Sequence, residues 1–190
     1  MFTPPWFQPL IWLDYRLAFL FTLIVPMVLL IWALVKKVPV IIGLMIIYWR
    51  VASLLAITIA LVLSGSSLSF FSALAAKILI PVSLWVWIDI NEEINDLPPK
   101  AIKLALTAWR WAITVYCVLG AIALLPFVQC GLSAQSNFCQ AWFKLPLLAR
   151  PMIPGTLGGL ATAALVVYAL CFGYFLLVRF PKQGRMAIDN

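Results

Sequence analysis

Apolar stretches long enough to cross a bilayer make up most of this chain, and very few charged residues interrupt them. Hydrophobic residues account for 65% of the 190 residues and charged residues for 10%, whereas soluble domains are about half apolar and a quarter charged. A transmembrane helix needs about 20 mostly apolar residues, and a bilayer admits only helices or closed barrels. The pattern predicts an all-α polytopic membrane protein with a single transmembrane domain over residues 1–190.

Polar turns divide the chain into about five predicted spans. Their approximate bounds are 16–35, 39–63, 70–90, 102–127 and 157–178. When the spans alternate in direction, one side of the membrane collects Lys36, Lys37, Lys100, Lys103, Arg179, Lys182 and Arg185, and the other collects only Arg16, Lys144 and Arg150. Because basic residues concentrate in cytoplasmic loops, we expect the C-terminus in the cytoplasm and the N-terminus outside.

Two cysteines lie in the predicted outward connection between the last two spans. A disulfide between Cys130 and Cys139 would close a loop of about nine residues, in a compartment where disulfides persist. Two free surface thiols are the alternative.

Several classes of function are disfavoured by composition. The chain has no histidine, and its four cysteines lack the paired spacing of zinc or iron–sulfur sites. The net charge of +7 reflects membrane topology rather than affinity for nucleic acid. We therefore expect no catalytic residue, no metal and no cofactor, although a bound lipid is compatible with the sequence.

Three basic residues lie inside the predicted spans, which makes them candidates for a functional site. Arg50 and Lys77 are expected near the midplane and Arg110 nearer the cytoplasmic boundary. A cation at the midplane costs at least about 2.5–3.5 kcal/mol. Asp14 is expected near the outer surface and the other acidic residues near the inner one, so we expect no carboxylate of the chain at the depth of Arg50 or Lys77.

Four kinds of partner could stabilise these cations. Proline removes a helical N–H, so Pro26 and Pro81 are expected to free the carbonyl groups of Thr22 and Lys77, which Arg50 could reach. An anion, either a lipid phosphate or a carried solute, is the second candidate, and a carboxylate on a partner protein is the third. The fourth is the headgroup region itself, which a long side chain can reach by snorkelling.

Two predicted hairpins, 16–63 and 70–127, share a pattern of unusual residues. Trp49 and Arg50 follow Pro39 at the same interval at which Trp109 and Arg110 follow Pro99. The pattern predicts a parallel repeat whose symmetry axis follows the membrane normal. The helix predicted at 157–178 would be an unpaired addition.

An acidic cluster follows the third predicted span, on the predicted cytoplasmic side. It consists of Asp89, Glu92, Glu93 and Asp96. Without histidine or a glycine-rich loop beside them, these carboxylates are interpreted as a solvated turn or a docking patch for a basic partner, in preference to a catalytic or metal site.

Five segments resemble an uncharacterised family of small integral membrane proteins of cyanobacteria, described only as a domain of unknown function. They are WLDYRLA (12–18), YWRVASLLAIT (48–58), ILIPVSLWVWIDINEEI (78–94), WRWAITVY (109–116) and VRFPKQGR (178–185). The resemblance implies a thylakoid or plasma membrane and brings no activity or cofactor with it. In a thylakoid, the outside of this topology would be the lumen.

Two functions fit these features. The first is a non-catalytic accessory subunit, or an assembly or stabilising factor, of a larger and photosynthetic membrane complex, with membrane lipids and a hetero-oligomeric membrane protein as partners. The second is a small-anion transporter or channel lined by Arg50, Lys77 and Arg110. An enzyme is disfavoured because no pair of nucleophile and base can be assembled.

Overall fold

The structure, a computed structural model, describes residues 8–132, 139, 156–175 and 177. Every regular element in these residues is helical. The helices are α1 (Gln8–Phe19), α2 (Val25–Lys36), α3 (Pro39–Leu63), α4 (Leu68–Trp85), α5 (Ile88–Asp96), α6 (Ala101–Leu124) and α7 (Leu157–Tyr174). A π-helical turn (Leu20–Ile24) joins α1 to α2, and a 3-10 turn (Leu125–Gly131) extends α6.

Five helical segments are long and apolar enough to cross a membrane, which confirms the all-α, membrane-spanning fold class. They are Arg16–Lys36, Pro39–Leu63, Leu68–Trp85, Ala101–Gly131 and Leu157–Tyr174. The first one passes through the π-helical turn, and the fourth includes the 3-10 turn. The predicted bounds agree with these segments to within a few residues, except at the end of the third.

A tight reversal between α2 and α3 sets these two helices side by side. Lys37 adopts the left-handed conformation with φ 53°, and the Val38 N–H donates to the Ala33 carbonyl, 3.1 Å away. This is the capping arrangement in which a helix commonly ends. Pro39 then occupies the first turn of α3, where its missing N–H costs nothing.

The third span ends earlier than the sequence predicts, and this prediction needs correction. α4 stops at Trp85 instead of residue 90, because the backbone of Trp87 (φ −82°, ψ 87°) leaves the helical region. The acidic stretch expected as a loop is mostly the short helix α5. Its burial pattern explains why it folds, since Ile94 is 1% exposed and packs into the core while the acidic residues face outward.

Two apolar clusters hold the bundle together. The larger contains residues of α2, α3, α4, α5 and α6, including Leu44, Ile80 and Leu106. The smaller surrounds the disulfide between Cys130 and Cys139, the pair singled out in the sequence. α7 packs against α3, with Gly158 close to Ser64.

Some predictions fall outside the described residues. These concern residues 1–7, most of the connection after the 3-10 turn with Lys144 and Arg150, and the tail with Arg179, Lys182 and Arg185. The parallel repeat over 16–63 and 70–127 stays a prediction.

Candidate functional site

Lys77 in α4 forms an ion pair with Asp14 in α1. The Lys77 Nζ donates to the Asp14 Oδ1 at 2.6 Å and to the Tyr116 hydroxyl at 3.1 Å. The Tyr116 hydroxyl in turn donates to the same carboxylate oxygen at 2.8 Å. Lys77 is 6% exposed. The expectation that this cation finds no carboxylate in its own chain is therefore wrong, and the contacts among Lys77, Asp14 and Tyr116 join α4, α1 and α6.

The error has a physical reason. The position of Lys77 along the sequence indicates the depth of its backbone, but a helical side chain leans toward the N-terminus of its own helix. The Lys77 stem therefore extends toward the end of the bundle where Asp14 lies. Gly120 in α6 makes room for this stem, because a Cβ at that position would overlap the Lys77 side chain.

Arg110 in α6 stabilises the break between α4 and α5. Its Nη2 donates to the Leu84 carbonyl at 2.8 Å and to the Asn91 Oδ1 at 2.7 Å. The guanidinium also stacks on the Trp85 ring, 4.2 Å from its centre. A helix end leaves carbonyl groups without helical partners. Arg110 is 5% exposed, so it is a buried structural group rather than a snorkelling side chain.

The π-helical turn before Pro26 frees two carbonyl groups, as the sequence led us to expect near this proline. The prediction that Arg50 reaches these carbonyl groups is wrong, because other side chains donate to them. The Tyr48 hydroxyl donates to the Thr22 carbonyl at 2.6 Å, and the Trp109 indole N–H donates to the Phe21 carbonyl at 2.9 Å.

Arg50 lies in a different environment from the other two cations. It is exposed in the bare protein, and its guanidinium makes no hydrogen bond or ion pair with any residue that the structure describes. It lines a groove of about 640 Å³ between α3, α4, α5 and α7. We call this cavity the Arg50 groove. The wall also includes Ser53, Ser83, Trp87 and Tyr168.

The Arg50 groove holds a second polar group without a partner. The Tyr168 hydroxyl oxygen is buried and has no hydrogen-bond partner in the described part of the chain. Most of the remaining wall is apolar, and no described residue that lines the groove is acidic. Sequence reasoning did not single out Tyr168, because one tyrosine in an apolar helix carries no distinguishing signal.

The four acidic residues of the predicted docking patch share one face of α5. Asp89, Glu92, Glu93 and Asp96 recur at the spacing of a helical stripe, and all four are exposed. Among the described residues, none of them forms a salt bridge. We call this surface the acidic face of α5. Its helical periodicity was visible in the sequence and would have predicted α5.

Polar contacts fix α5 at both ends. The Asn91 side-chain amide donates to the Trp85 carbonyl at 3.0 Å. At the other end, Lys103 Nζ donates to the carbonyl groups of Asn95 and Leu97, each at 2.7 Å. A cation at a helix C-terminus is favourable because it meets unpaired carbonyl groups. The acidic face is therefore presented on a rigid support.

Among the residues that the structure describes, no three histidine, cysteine or acidic side chains lie close enough together to hold a metal ion. Residues 8–188 match a family described as "Protein of unknown function (DUF3177)". No curated protein and no solved structure matches the chain.

Proposed function

We propose that this chain, which belongs to the DUF3177 family of unknown function, is a non-catalytic accessory subunit or assembly factor of a larger membrane complex. The observation that carries the proposal is the acidic face of α5. Four exposed carboxylates lie on one stripe of a nine-residue helix, in a chain whose net charge is +7.

Asp89 lies in the first turn of α5, where a negative charge is favourable, but the rest of the acidic face does not stabilise the isolated chain. Like charges three or four residues apart on a helix destabilise it by about 0.2–0.5 kcal/mol per pair. A basic surface on a partner would remove this repulsion and add attraction, which favours correct orientation and fast association more than raw affinity. The contacts of Asn91 and Lys103 hold α5 in place before any partner arrives.

The orientation proposed for the chain rests on its charge distribution, and the membrane and complex proposed for it rest on its resemblance to a family. The concentration of basic residues on one side supports a cytoplasmic C-terminus, an outer or lumenal N-terminus and a cytoplasmic acidic face. The resemblance to cyanobacterial membrane proteins supports a thylakoid or plasma membrane and a photosynthetic complex.

Affinity purification from native membranes tests the proposal. We expect the tagged protein to retain a stoichiometric membrane protein in mild detergent, and we expect the double variant Glu92→Lys/Glu93→Lys to lose it. The matched control is Lys100→Gln, which changes an exposed charge beside α5 and should retain the partner. A wild-type protein that purifies alone would contradict the proposal, and so would equal recovery of the partner with the double variant.

The alternative function, a small-anion transporter or channel, requires Arg50, Lys77 and Arg110 along one path. Lys77 is paired with Asp14, and Arg110 is bonded to Leu84 and Asn91. Of the three cations, only Arg50 lines the groove. These contacts favour the accessory role. Anion flux into proteoliposomes that Arg50→Gln abolishes would reverse this preference.

A further inference from the structure

The Arg50 groove lies closer to the membrane surface than the sequence suggested. α3 has 25 residues and α4 has 18, and the two helices meet at the turn over residues 64–67. At a rise of 1.5 Å per residue, α4 is about 27 Å long and α3 about 37 Å. Because α3 ends and α4 begins at this turn, the start of α3 extends about 10 Å beyond the end of α4.

The end of α4 matches a membrane boundary. A length of about 27 Å is close to the hydrocarbon thickness of about 30 Å. Trp85 and Trp87 lie at this end, and tryptophan is enriched at membrane interfaces. The charged helix α5 follows at once. Arg50 is then about one helical turn, or about 6 Å, inside this boundary, and its side chain leans toward the boundary because it leans toward the start of α3.

The shape of the Arg50 groove limits what can occupy it. A helix with side chains is about 10–12 Å wide, so a volume of 640 Å³ would hold only about 7 Å of its length. A lipid is narrower and better suited to this wall, which offers a cation near the boundary, a hydroxyl on α7 and apolar side chains around them, including Leu79, Val82 and Phe172.

We propose that the Arg50 groove binds one acidic phospholipid from the leaflet on the α5 side. Arg50 donates to the phosphate, for which a guanidinium is a bidentate donor. The Tyr168 hydroxyl, which lacks a partner among the described residues, donates to a headgroup or ester oxygen. The first carbons of the acyl chains pack on the apolar wall. This site is independent of the acidic face of α5 and of the accessory role proposed above.

Lipid titration of the full-length protein tests the site. The protein is delipidated in neutral detergent, and binding of phosphatidylglycerol is followed by native mass spectrometry. We expect one tightly bound phosphatidylglycerol per wild-type chain. Arg50→Gln should weaken this binding at least about tenfold, because the charged donor to the phosphate is lost. The control Lys37→Gln, which removes an exposed cation of the α2–α3 turn, should bind like the wild type.

A second variant keeps Arg50 and fills the Arg50 groove. Cys171 is exposed on α7 and lines the groove, so Cys171→Trp should fill the groove and also weaken phosphatidylglycerol binding. Wild-type affinity in both variants would overturn the proposal. Equal binding of phosphatidylcholine would also overturn it, because no acidic headgroup would then be required. If inorganic phosphate alone displaced the lipid at equimolar concentration, the site would be one for a free anion and the proposal would be wrong.

Discussion

Trp49–Arg50 in α3 and Trp109–Arg110 in α6 are the same dipeptide, at the same interval after Pro39 and Pro99, yet they have different environments. The Trp109 indole donates to the Phe21 carbonyl, and Arg110 donates to Leu84 and Asn91. In the described part of the chain, the Trp49 indole nitrogen is buried without a partner and the Arg50 guanidinium has none either. Trp109 and Arg110 stabilise the bundle, whereas the exposed Arg50 is available to something outside it.

The role of an intramembrane cation therefore depends on the acceptors that surround it more than on its depth. Arg110 lies beside a broken helix whose end supplies a carbonyl acceptor. Lys77 lies beside a carboxylate. Arg50 lies on a continuous stretch of α3 and faces the apolar wall of the groove. Structural and ligand-binding roles can therefore be separated by substitutions.

The largest effect is expected at Lys77, where the contrast with Arg50 is greatest. Removing one partner of a buried ion pair leaves the other unpaired and costs about 3–5 kcal/mol. We place Lys77→Leu near the lower end, at about 3 kcal/mol, because Asp14 is 30% exposed. Unfolding in mixed detergent micelles measures the change. The double variant Asp14→Asn/Lys77→Leu should recover part of the loss, and additive losses would contradict the pairing.

Arg110→Leu should come next, with a loss of about 2 kcal/mol in the free energy of unfolding. The substitution leaves the Leu84 carbonyl without its donor in a buried place, and an unsatisfied buried acceptor costs about 1–3 kcal/mol. Arg110→Lys keeps a cation but not the planar donor group, so it should recover only part of the loss. Wild-type stability of Arg110→Leu would remove the distinction between the two arginines.

Gly120→Ala tests the same network without touching a charged residue. The added Cβ would overlap the Lys77 stem and should displace the ammonium from Asp14, at a cost of about 1–2 kcal/mol. Gly43→Ala in α3 is the matched control, because nothing lies within 4 Å of a Cβ built there. In a helix interior this control should gain about 0.5–1 kcal/mol. Equal effects of the two substitutions on thermal unfolding would argue against the crowded position of Lys77.

The smallest loss is expected for Tyr48→Phe, about 1 kcal/mol. Its hydroxyl satisfies the Thr22 carbonyl that Pro26 frees, so α3 supports the bundle through Tyr48 and not through Arg50. Tyr174→Phe is the control, because Tyr174 is exposed on α7 and should change stability by less than about 0.5 kcal/mol. Hydrogen exchange at the π-helical turn provides a local measurement, with faster exchange expected only in Tyr48→Phe.

The sequence was sufficient for the membrane class and most span bounds, because long apolar runs admit few other folds. It also pointed to Cys130 and Cys139, which the structure joins. The early end of α4 was missed, because continuous apolar residues run past Trp85 and hide the break. The four acidic residues were predicted as a solvated turn or docking patch, although their helical spacing was readable and indicates α5.

The partners of the three cations could not be derived from the sequence. Tyr48, Trp109 and Arg50 can all donate a hydrogen bond to a carbonyl group, and the sequence does not distinguish them. Which of them reaches the Thr22 carbonyl depends on how three spans pack. The pairing of Lys77 with Asp14 depends on side-chain lean and on the space at Gly120. The Arg50 groove requires α7 to lie against α3, and no sequence pattern specifies that neighbour.

The most direct test of the contrast between the two arginines is to measure unfolding of Arg50→Leu and Arg110→Leu side by side in lipid-free neutral detergent. We predict that Arg50→Leu stays within about 0.5 kcal/mol of the wild type, whereas Arg110→Leu loses about 2 kcal/mol. Equal losses in the two variants would show that Arg50 also has a stabilising partner inside the chain, which would contradict the proposed difference between the two arginines.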